Sequence, residues 1–286
     1  MLISIASGKG GTGKTFVATS LALSASLRGE KVQLLDCDVE EPNSHIFIKP
    51  VNSGTESVGV PVPEVDEAKC NGCGKCGEVC QYAAIVVINK KVLTFPELCH
   101  GCGGCMEFCP ENAITETPRA VGVMEAGKNR GVDFVHGRLR VGEAMSPPLI
   151  KKVKSMVKPG MLNIIDSPPG TSCPVIESVR GSDFVFLVTE PTPFGLNDLK
   201  LAVEMVRKLG LLFAVGINRC DLGDRKVYDY CEKEEIPILL EIPNDRRIAE
   251  VYSRGELVVI ELPEFVGKFK VLLDEIKRRV RERGAA

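Results

Sequence analysis

The stretch Gly8-Lys9-Gly10-Gly11-Thr12-Gly13-Lys14-Thr15 decides the fold, because it matches the phosphate-binding pattern G-x-x-x-x-G-K-[ST]. An apolar run at residues 2–6 precedes it, and residues 15–27 have helical apolar spacing. Glycines let backbone N–H groups converge on phosphate oxygens, and the following helix presents its positive end to the same point. We therefore predict a nucleotide site formed by Gly10 to Thr15, in which Lys14 neutralises the β- and γ-phosphates and Thr15 ligates Mg²⁺.

Apolar strand segments recur along the chain and alternate with helical ones. Residues 31–35 form the second predicted strand, and later ones are predicted at residues 162–165, 184–188, 212–217 and 236–240. Strands that alternate with helices predict a parallel sheet covered on both faces. The predicted fold class is therefore α/β, a P-loop NTPase sheet whose functional loops lie at the carboxyl ends of the strands.

This alternation is interrupted in the middle of the chain, where valine and proline alternate and cysteines then follow. We predict an inserted α+β domain over residues 58–119 and a discontinuous P-loop domain over residues 1–57 and 120–286. Residues 85–88 and 92–95 are predicted to form a hairpin. Residues 121–141 are predicted to form irregular strands.

An acidic residue, Asp166, closes the predicted strand at residues 162–165. A carboxylate at the end of a buried apolar strand is costly unless a cation or hydrogen bonds compensate it. Magnesium held through a water molecule would supply that compensation, so we predict Asp166 in the magnesium shell.

Lys9 makes the glycine-rich motif more specific than the general phosphate-binding pattern. The pattern K-G-G-x-G-K-T resembles the deviant Walker A loop of the MinD/ParA/Mrp superfamily of P-loop ATPases. In that family the extra lysine reaches across a dimer interface to the nucleotide of the partner. The resemblance therefore implies this catalytic role for Lys9, ATP as the nucleotide, and a homodimer that encloses ATP between its subunits.

Two further segments resemble functional loops of this superfamily. Residues 36–43 look like switch I, which implies that Asp38 orients the attacking water or contacts it through the Mg²⁺ shell. Glu40 departs from the pattern, because the family often has glycine there. Residues 163–170 resemble the Walker B and switch II segment, which implies that Asp166 binds Mg²⁺ through a water and that Thr171 contacts the nucleotide.

Base recognition is predicted at two later loops. Asn218 and Arg219 close a strand where family members place an asparagine against adenine, and Pro243 begins a loop that resembles the one packed on the purine. Either segment is also compatible with an ordinary turn.

Cysteines are concentrated in the inserted segment. The run Cys70-x2-Cys73-x2-Cys76-x3-Cys80 is repeated as Cys99-x2-Cys102-x2-Cys105-x3-Cys109-Pro110. In two-cluster bacterial ferredoxins, which this repeat resembles, the fourth cysteine of each run serves the other cluster. The resemblance assigns one 4Fe–4S cluster to Cys70, Cys73, Cys76 and Cys109. It assigns the second to Cys99, Cys102, Cys105 and Cys80. The alternative is a pair of zinc sites, although zinc ribbons use paired C-x-x-C without this spacing.

The remaining cysteines and the histidines are predicted to have structural roles. A disulfide framework is not expected among the 12 cysteines, because cytosolic thiols are kept reduced. Cys173 follows switch II, where the nitrogenase iron protein bridges its dimer with a cluster. One cysteine from each subunit cannot supply four ligands, so we predict a packing role. His45, His100 and His136 are predicted to be surface or loop residues.

Charge and hydropathy exclude several classes of function. The net charge of −2 supplies no basic field for nucleic acid, so nucleic-acid binding is not predicted. The sequence contains no apolar run of about 20 residues and no signal peptide, so a cytoplasmic protein is expected. Residues 265–280 are predicted to form a helix packed on the sheet, the alternative being a helix at a membrane surface.

Three functions are compatible with these motifs. In the first, ATP binding and hydrolysis gate electron transfer through the two clusters to an unidentified redox partner. In the second, the protein is an iron–sulfur assembly or carrier ATPase of the Mrp type, and its partner is a cluster acceptor. In the third, it is a positioning ATPase like MinD with structural clusters. The first is favoured because two ferredoxin-style clusters are fully ligated sites.

Overall fold

The computed structural model describes residues 1–285, and among these it leaves out the side chains of Asn52 and Ala285. The chain divides into two compact units. The first comprises residues 1–56, 124–138 and the chain from 150 onward, and the second comprises residues 57–123 and 139–149. The sequence pattern had placed residues 139–149 in the P-loop domain. They join the second unit because Glu143 pairs with Arg119, and the N–H of Arg140 donates to the carbonyl of Val121 at 2.9 Å.

Strands and helices alternate along most of the described chain. In chain order they are β1 (Leu2–Ala6), α1 (Lys14–Ser26), β2 (Val32–Asp36), α2 (Ser44–Ile48), β3 (Val51–Val65), α3 (Lys75–Val79), β4 (Ile85–Ile88), β5 (Lys91–Thr94), α4 (Gly104–Glu107), β6 (Ile114–Asn129), β7 (Val132–Leu139), α5 (Pro147–Lys154), β8 (Leu162–Asp166), α6 (Cys173–Val179), β9 (Phe184–Thr189), α7 (Pro193–Lys208), β10 (Phe213–Asn218), α8 (Lys226–Lys233), β11 (Ile238–Ile242), α9 (Arg246–Ser253), α10 (Val258–Glu261) and α11 (Val266–Ala285).

A mostly parallel sheet forms the centre of the first unit. Among the described residues its strand order is β11-β10-β9-β1-β8-β2-β7-β6-β3, and each pair from β11 to β7 is parallel. Along β9, Phe184 and Phe186 pack into one hydrophobic core, whereas Val185 and Leu187 pack into another. Because successive strand residues point to opposite faces, helices cover both faces of the sheet, as predicted.

The strands β6 and β7 correct the prediction of irregular strands at residues 121–141. They form a hairpin whose turn is made by Arg130 and Gly131, with φ of 49° and 76°. A Cβ atom at Gly127 would lie 2.5 Å from the carbonyl oxygen of Val51, so the backbones approach closely there. Gly127 interrupts the alternation of apolar residues that marks a strand in sequence. The absence of a side chain there allows β6 to pair with β3.

The second unit contains an antiparallel hairpin and two short helices. In the hairpin, β4 pairs with β5 in the register Ile85 to Thr94, and the turn residues Asn89 and Lys90 both have positive φ. The hairpin predicted from sequence is therefore confirmed, with a turn one residue shorter. Helices α3 and α4 each begin after a glycine in the left-handed conformation, Gly74 and Gly103.

Helix α11 closes one face of the sheet. Its residues Phe269, Leu272, Leu273 and Ile276 are fully buried, so the interpretation as a packed terminal helix is confirmed. The Phe269 ring meets the ring of Phe16 edge-on, with centroids 5.7 Å apart. Across the described residues, none of the helices has both the length and the apolar character that a bilayer span requires.

Replacing Phe269 tests this packing. We expect Phe269→Ala to lower the free energy of unfolding by about 3–5 kcal/mol, because it leaves a cavity against Phe16. Val271→Ala is the control on the same helix, since Val271 is 67% exposed. Urea unfolding followed by circular dichroism measures both variants, and equal losses would contradict this account of α11.

Candidate functional site

The phosphate-binding loop joins β1 to α1. Gly11 and Gly13 have φ of 76° and 99°, a conformation that side chains other than glycine rarely adopt, and Gly13 caps α1. A Cβ atom at Gly13 would lie 2.6 Å from the Nδ2 atom of Asn218. Because these positions carry no side chains, the backbone N–H groups of the loop are accessible at the positive end of α1. Lys14 and Thr15 begin this helix and are buried.

A cavity of about 390 Å³ opens beside this loop, within the first unit. It brings together most of the residues that the sequence predicted for nucleotide binding, namely Gly10, Gly11, Gly13, Lys14, Thr15, Asp38, Asn218, Arg219 and Pro243. The lining of the cavity does not include Lys9, Thr12, Asp166 or Thr171. Because several strands end at this edge, loops distant in sequence meet around one pocket.

Two carboxylates lie under the cavity on neighbouring strands. Asp36 and Asp166 are in register at the ends of β2 and β8, and both are fully buried. Burial raises the pKa of each carboxyl, and the neighbouring Asp166 raises the pKa of Asp36 further. Burial lowers the pKa of Lys14, which the three nearby aspartates oppose. The site thus concentrates negative charge that a cation would neutralise.

Asp36 holds the loop that follows β2. Its carboxylate accepts the backbone N–H groups of Asp38, Asn43 and Ser44 at 3.0–3.1 Å. These hydrogen bonds fix the switch-like loop and leave Asp38 on the cavity wall.

Asp166 has the features expected of an indirect Mg²⁺ ligand. Its Oδ2 atom accepts the hydroxyl of Ser44 at 2.9 Å, whereas its Oδ1 atom is buried without a hydrogen-bond partner. A hydrated Mg²⁺ would satisfy that oxygen. Burial, followed by the charge of Asp166, raises the pKa of Asp38 to about 6. The donor set of Thr15, Asp38 and Asp166 therefore fits the hard cation that the sequence predicted.

The structure places Lys9 within its own chain. Its ammonium lies 3.5 Å from Glu190, a buried carboxylate that Arg219 also contacts at 2.9 Å. Glu190 was not predicted from the sequence. The same signal that identified Asp166 could have found it, because Glu190 directly follows the buried strand β9. The role of Lys9 across a dimer interface stays a prediction.

Asn218 ties the phosphate-binding loop to the end of β10. Its Nδ2 atom donates to the carbonyl of Thr12 at 3.0 Å, and its Oδ1 atom accepts the N–H of Arg219 at 3.0 Å. Both ends of the amide are thus engaged within the chain. Contacts of Asn218, Arg219 and Pro243 with a base stay predictions.

Tyr252 lines the cavity and was not predicted from the sequence. Its hydroxyl interacts with Thr15, and its ring lies 4.4 Å from that of Phe47. Burial raises the pKa of Tyr252 to about 12, so its hydroxyl stays protonated at neutral pH. The sequence contained no signal for this residue, because α9 reaches the phosphate-binding loop only through tertiary packing.

Two cavities in the second unit are lined by cysteines. The lining of one includes Cys70, Cys73, Cys76 and Cys109. The lining of the other includes Cys80, Cys99, Cys102 and Cys105. Each cavity thus combines three cysteines of one run with the fourth of the other. This is the crossed grouping that the ferredoxin resemblance implies, although ligation itself stays a prediction.

The surroundings of these thiols suit an iron–sulfur cluster. Gly72, Gly74, Gly101 and Gly103 have positive φ, which turns the C-x-x-C loops, and the N–H of Gly101 donates to the Sγ of Cys99 at 3.4 Å. All of these cysteines are free thiols. Among the described residues, no three His, Cys, Asp or Glu side chains converge closely enough for one metal ion.

The remaining cysteines and histidines are dispersed. Cys37 and Cys231 are buried, which raises the pKa of each thiol, whereas Cys173 is exposed. The prediction of a surface or loop position is wrong for His136, which lies in β7 and is 6% exposed. It is buried because β7 lies inside the sheet, between β2 and β6.

Comparisons with known proteins agree with this architecture. The family model described as the CobQ/CobB/MinD/ParA nucleotide binding domain matches residues 3–258. A protein of Methanocaldococcus jannaschii, named only as uncharacterized, is 30% identical over 90% of this chain and 90% of its own length. The iron–sulfur cluster carrier protein of Aquifex aeolicus is 26% identical over 98% of this chain and 69% of its own length.

Solved structures show the same fold. The septum site-determining protein MinD of Pyrococcus horikoshii, solved with Mg-ADP, gives a TM-score of 0.62 at 21% identity. That match covers 96% of this chain and 95% of the other. At this level of identity the similarity establishes the fold alone.

The loop geometry predicts the effect of a side chain at Gly13. We expect Gly13→Ala to weaken ATP binding at least about tenfold, because the positive φ costs about 1–3 kcal/mol and the methyl group meets Asn218. Gly267→Ala is the control, since nothing lies within 4 Å of a Cβ atom built there. Calorimetric titration with ATP and Mg²⁺ measures both affinities, and wild-type affinity in Gly13→Ala would refute this role of the loop.

Proposed function

The chain belongs to the CobQ/CobB/MinD/ParA family of nucleotide-binding proteins, and from this we propose that it is an ATPase whose nucleotide state gates electron transfer through two 4Fe–4S clusters. The observation that carries the redox half is the crossed grouping of cysteines around two cavities. The partner would be a protein that donates or accepts electrons.

The cavity beside the phosphate-binding loop supports the nucleotide half. Lys14 would bind the β- and γ-phosphates, while Thr15, Asp38 and Asp166 would hold Mg²⁺ directly or through water. Hydrolysis in such a site depends on positioning and charge neutralisation by groups already in place. The buried, unpartnered Oδ1 atom of Asp166 is one such group.

A homodimer is part of this proposal. In the structure Lys9 forms an ion pair with Glu190. This ion pair would break when Lys9 reaches the nucleotide of a partner subunit. Lys9 is 31% exposed, so its side chain can move without disturbing the core. Thr171 and the base-contacting residues belong to the same proposal.

A second candidate function is an iron–sulfur cluster carrier. The specific observation in its favour is the similarity to proteins with that name from Aquifex aeolicus and Pyrococcus abyssi, which are 26% and 22% identical to this chain. The two candidates differ in the fate of the clusters, which are resident in the first and released in the second. We favour resident clusters because each cavity has four cysteines of its own.

Cluster content is tested by Cys102→Ala. We expect the iron content of anaerobically purified protein to fall from about eight to about four atoms per chain, because one 4Fe–4S cluster loses a ligand. Cys173→Ala is the matched control, since this thiol is exposed and lies outside both cavities. Undiminished iron in Cys102→Ala, or zinc in place of iron in the wild type, would sink the cluster assignment.

Redox titration with and without Mg-ATP tests whether ATP binding is coupled to the potentials of the clusters. We expect the midpoint potential of at least one cluster to change on ATP binding in the wild type and not in Lys14→Ala, which cannot hold the phosphates. Unchanged potentials, together with transfer of iron to an apo-ferredoxin, would replace electron gating by cluster delivery.

A further inference from the structure

A polar cluster around the buried His136 lies within the first unit, and one of its members, His45, is two residues along the chain from Asn43, which lines the nucleotide cavity. The Nε2 atom of His136 lies 2.9 Å from Glu125, and the rings of His45 and His136 are 5.0 Å apart. Arg138 approaches the same carboxylate at 3.8 Å. We name His45, His136 and Glu125 the imidazole cluster.

The imidazole cluster connects to the Walker B carboxylate through one residue. His45 directly follows Ser44 in α2. Ser44 donates its N–H to Asp36 at 3.0 Å and its hydroxyl to Asp166 at 2.9 Å. The position of α2 therefore decides which oxygen of Asp166 is engaged and which is left for Mg²⁺.

Helix α2 is held at both ends by the hairpin of β6 and β7. At its C-terminal end, the Nδ2 atom of Asn129 donates to the carbonyls of Ile48 and Lys49 at 2.8 Å. At its N-terminal end, the contact between His45 and His136 takes the same role. A five-residue helix has little stability of its own, so these anchors determine where Ser44 lies.

The anchor at the N-terminal end requires neutral imidazoles. A charged Glu125 accepts a hydrogen bond from the Nε2–H group of His136, which leaves Nδ1 as the site for a further proton. The Nδ1 atoms of both histidines are buried without a partner, so a proton there would find no acceptor. Burial lowers the pKa of both histidines, and Glu125 opposes that effect on each of them.

Three charged groups of the described residues face His45 and His136. They are Glu125 on β6, Arg138 on β7, and Asp36 on β2, which is in register with His136. Two adjacent imidazolium ions would repel each other in this buried position.

We propose that His45 and His136 are positioning residues for ATP hydrolysis, which act by holding Ser44 against Asp166 and release α2 when the pair gains a proton. The inference rests on the proposed ATPase function and adds a regulation to it.

The test measures kcat and KM for Mg-ATP in the full-length protein from about pH 5.5 to 8.5. We expect His136→Gln to lower kcat about tenfold at high pH, because it removes an outer-shell contact, and to leave KM within about twofold. We also expect this variant to lose the acid-side decline of kcat that the pair causes in the wild type. A His136→Gln profile identical to the wild type would overturn the inference.

Glu125→Gln is the second variant, and it keeps the hydrogen bond while removing the charge. Without its counter-charge the pair takes up a proton at a lower pH, so the acid-side decline of kcat should move to lower pH. Asp38, whose pKa is about 6, titrates in the same range but would not respond to this change. An unmoved decline would therefore assign it to Asp38 and overturn the titration of the pair. Asp274→Asn, an exposed carboxylate on α11, is the control.

A wild type that binds ATP and hydrolyses none would overturn the hydrolytic part of the proposed function. The inference is then judged by the gain in ATP affinity that Mg²⁺ produces in calorimetric titrations. A gain about tenfold smaller in His136→Gln would support positioning of Asp166, and an equal gain would refute it.

Discussion

The burial of two carboxylates side by side is the constraint on which the rest of this protein depends. Asp36 and Asp166 end adjacent parallel strands and are wholly shielded from water. Charges in such a position are tolerated only with hydrogen bonds and a cation nearby. The chain supplies the hydrogen bonds from the loop after β2, a lysine from the phosphate-binding loop, and an oxygen that is left without a partner. In the proposed function, a magnesium–nucleotide complex would supply the cation that these carboxylates need.

The same constraint explains how distant parts of the chain become linked. Ser44, the first residue of α2, connects this helix to both buried carboxylates. Its N–H donates to Asp36 at the end of β2, and its hydroxyl donates to Asp166 at the end of β8. Helix α2 is in turn anchored on the β6–β7 hairpin. In the proposed regulation, these contacts would link the phosphate site to the β6–β7 hairpin. The two states of such a contact, made or broken, are what a switch requires.

The second unit follows a different physical logic. Among the described residues, the hydrophobic cluster beside the cysteines has Cys76, Ile85 and Ile114 as its buried members, with Cys80, Cys105 and Cys109 packed against it. Thiols that line the two cavities would supply ligands for clusters, and bound clusters would add to the stability of this unit. In the first unit two large hydrophobic cores cover the two faces of the sheet.

The sequence by itself determined the nucleotide loop, the α/β class, the helix that closes the chain and the cysteine repeat. Each of these is encoded by local spacing: glycines that turn the backbone, apolar residues at a helical or strand period, and cysteines at fixed intervals. Only the tertiary structure decided the pairing of β6 with β3, the burial of His136 and the position of Tyr252 at the site. Those features depend on which strands become neighbours and which loops meet at a sheet edge. Such contacts join residues far apart in the chain, and no local pattern records them.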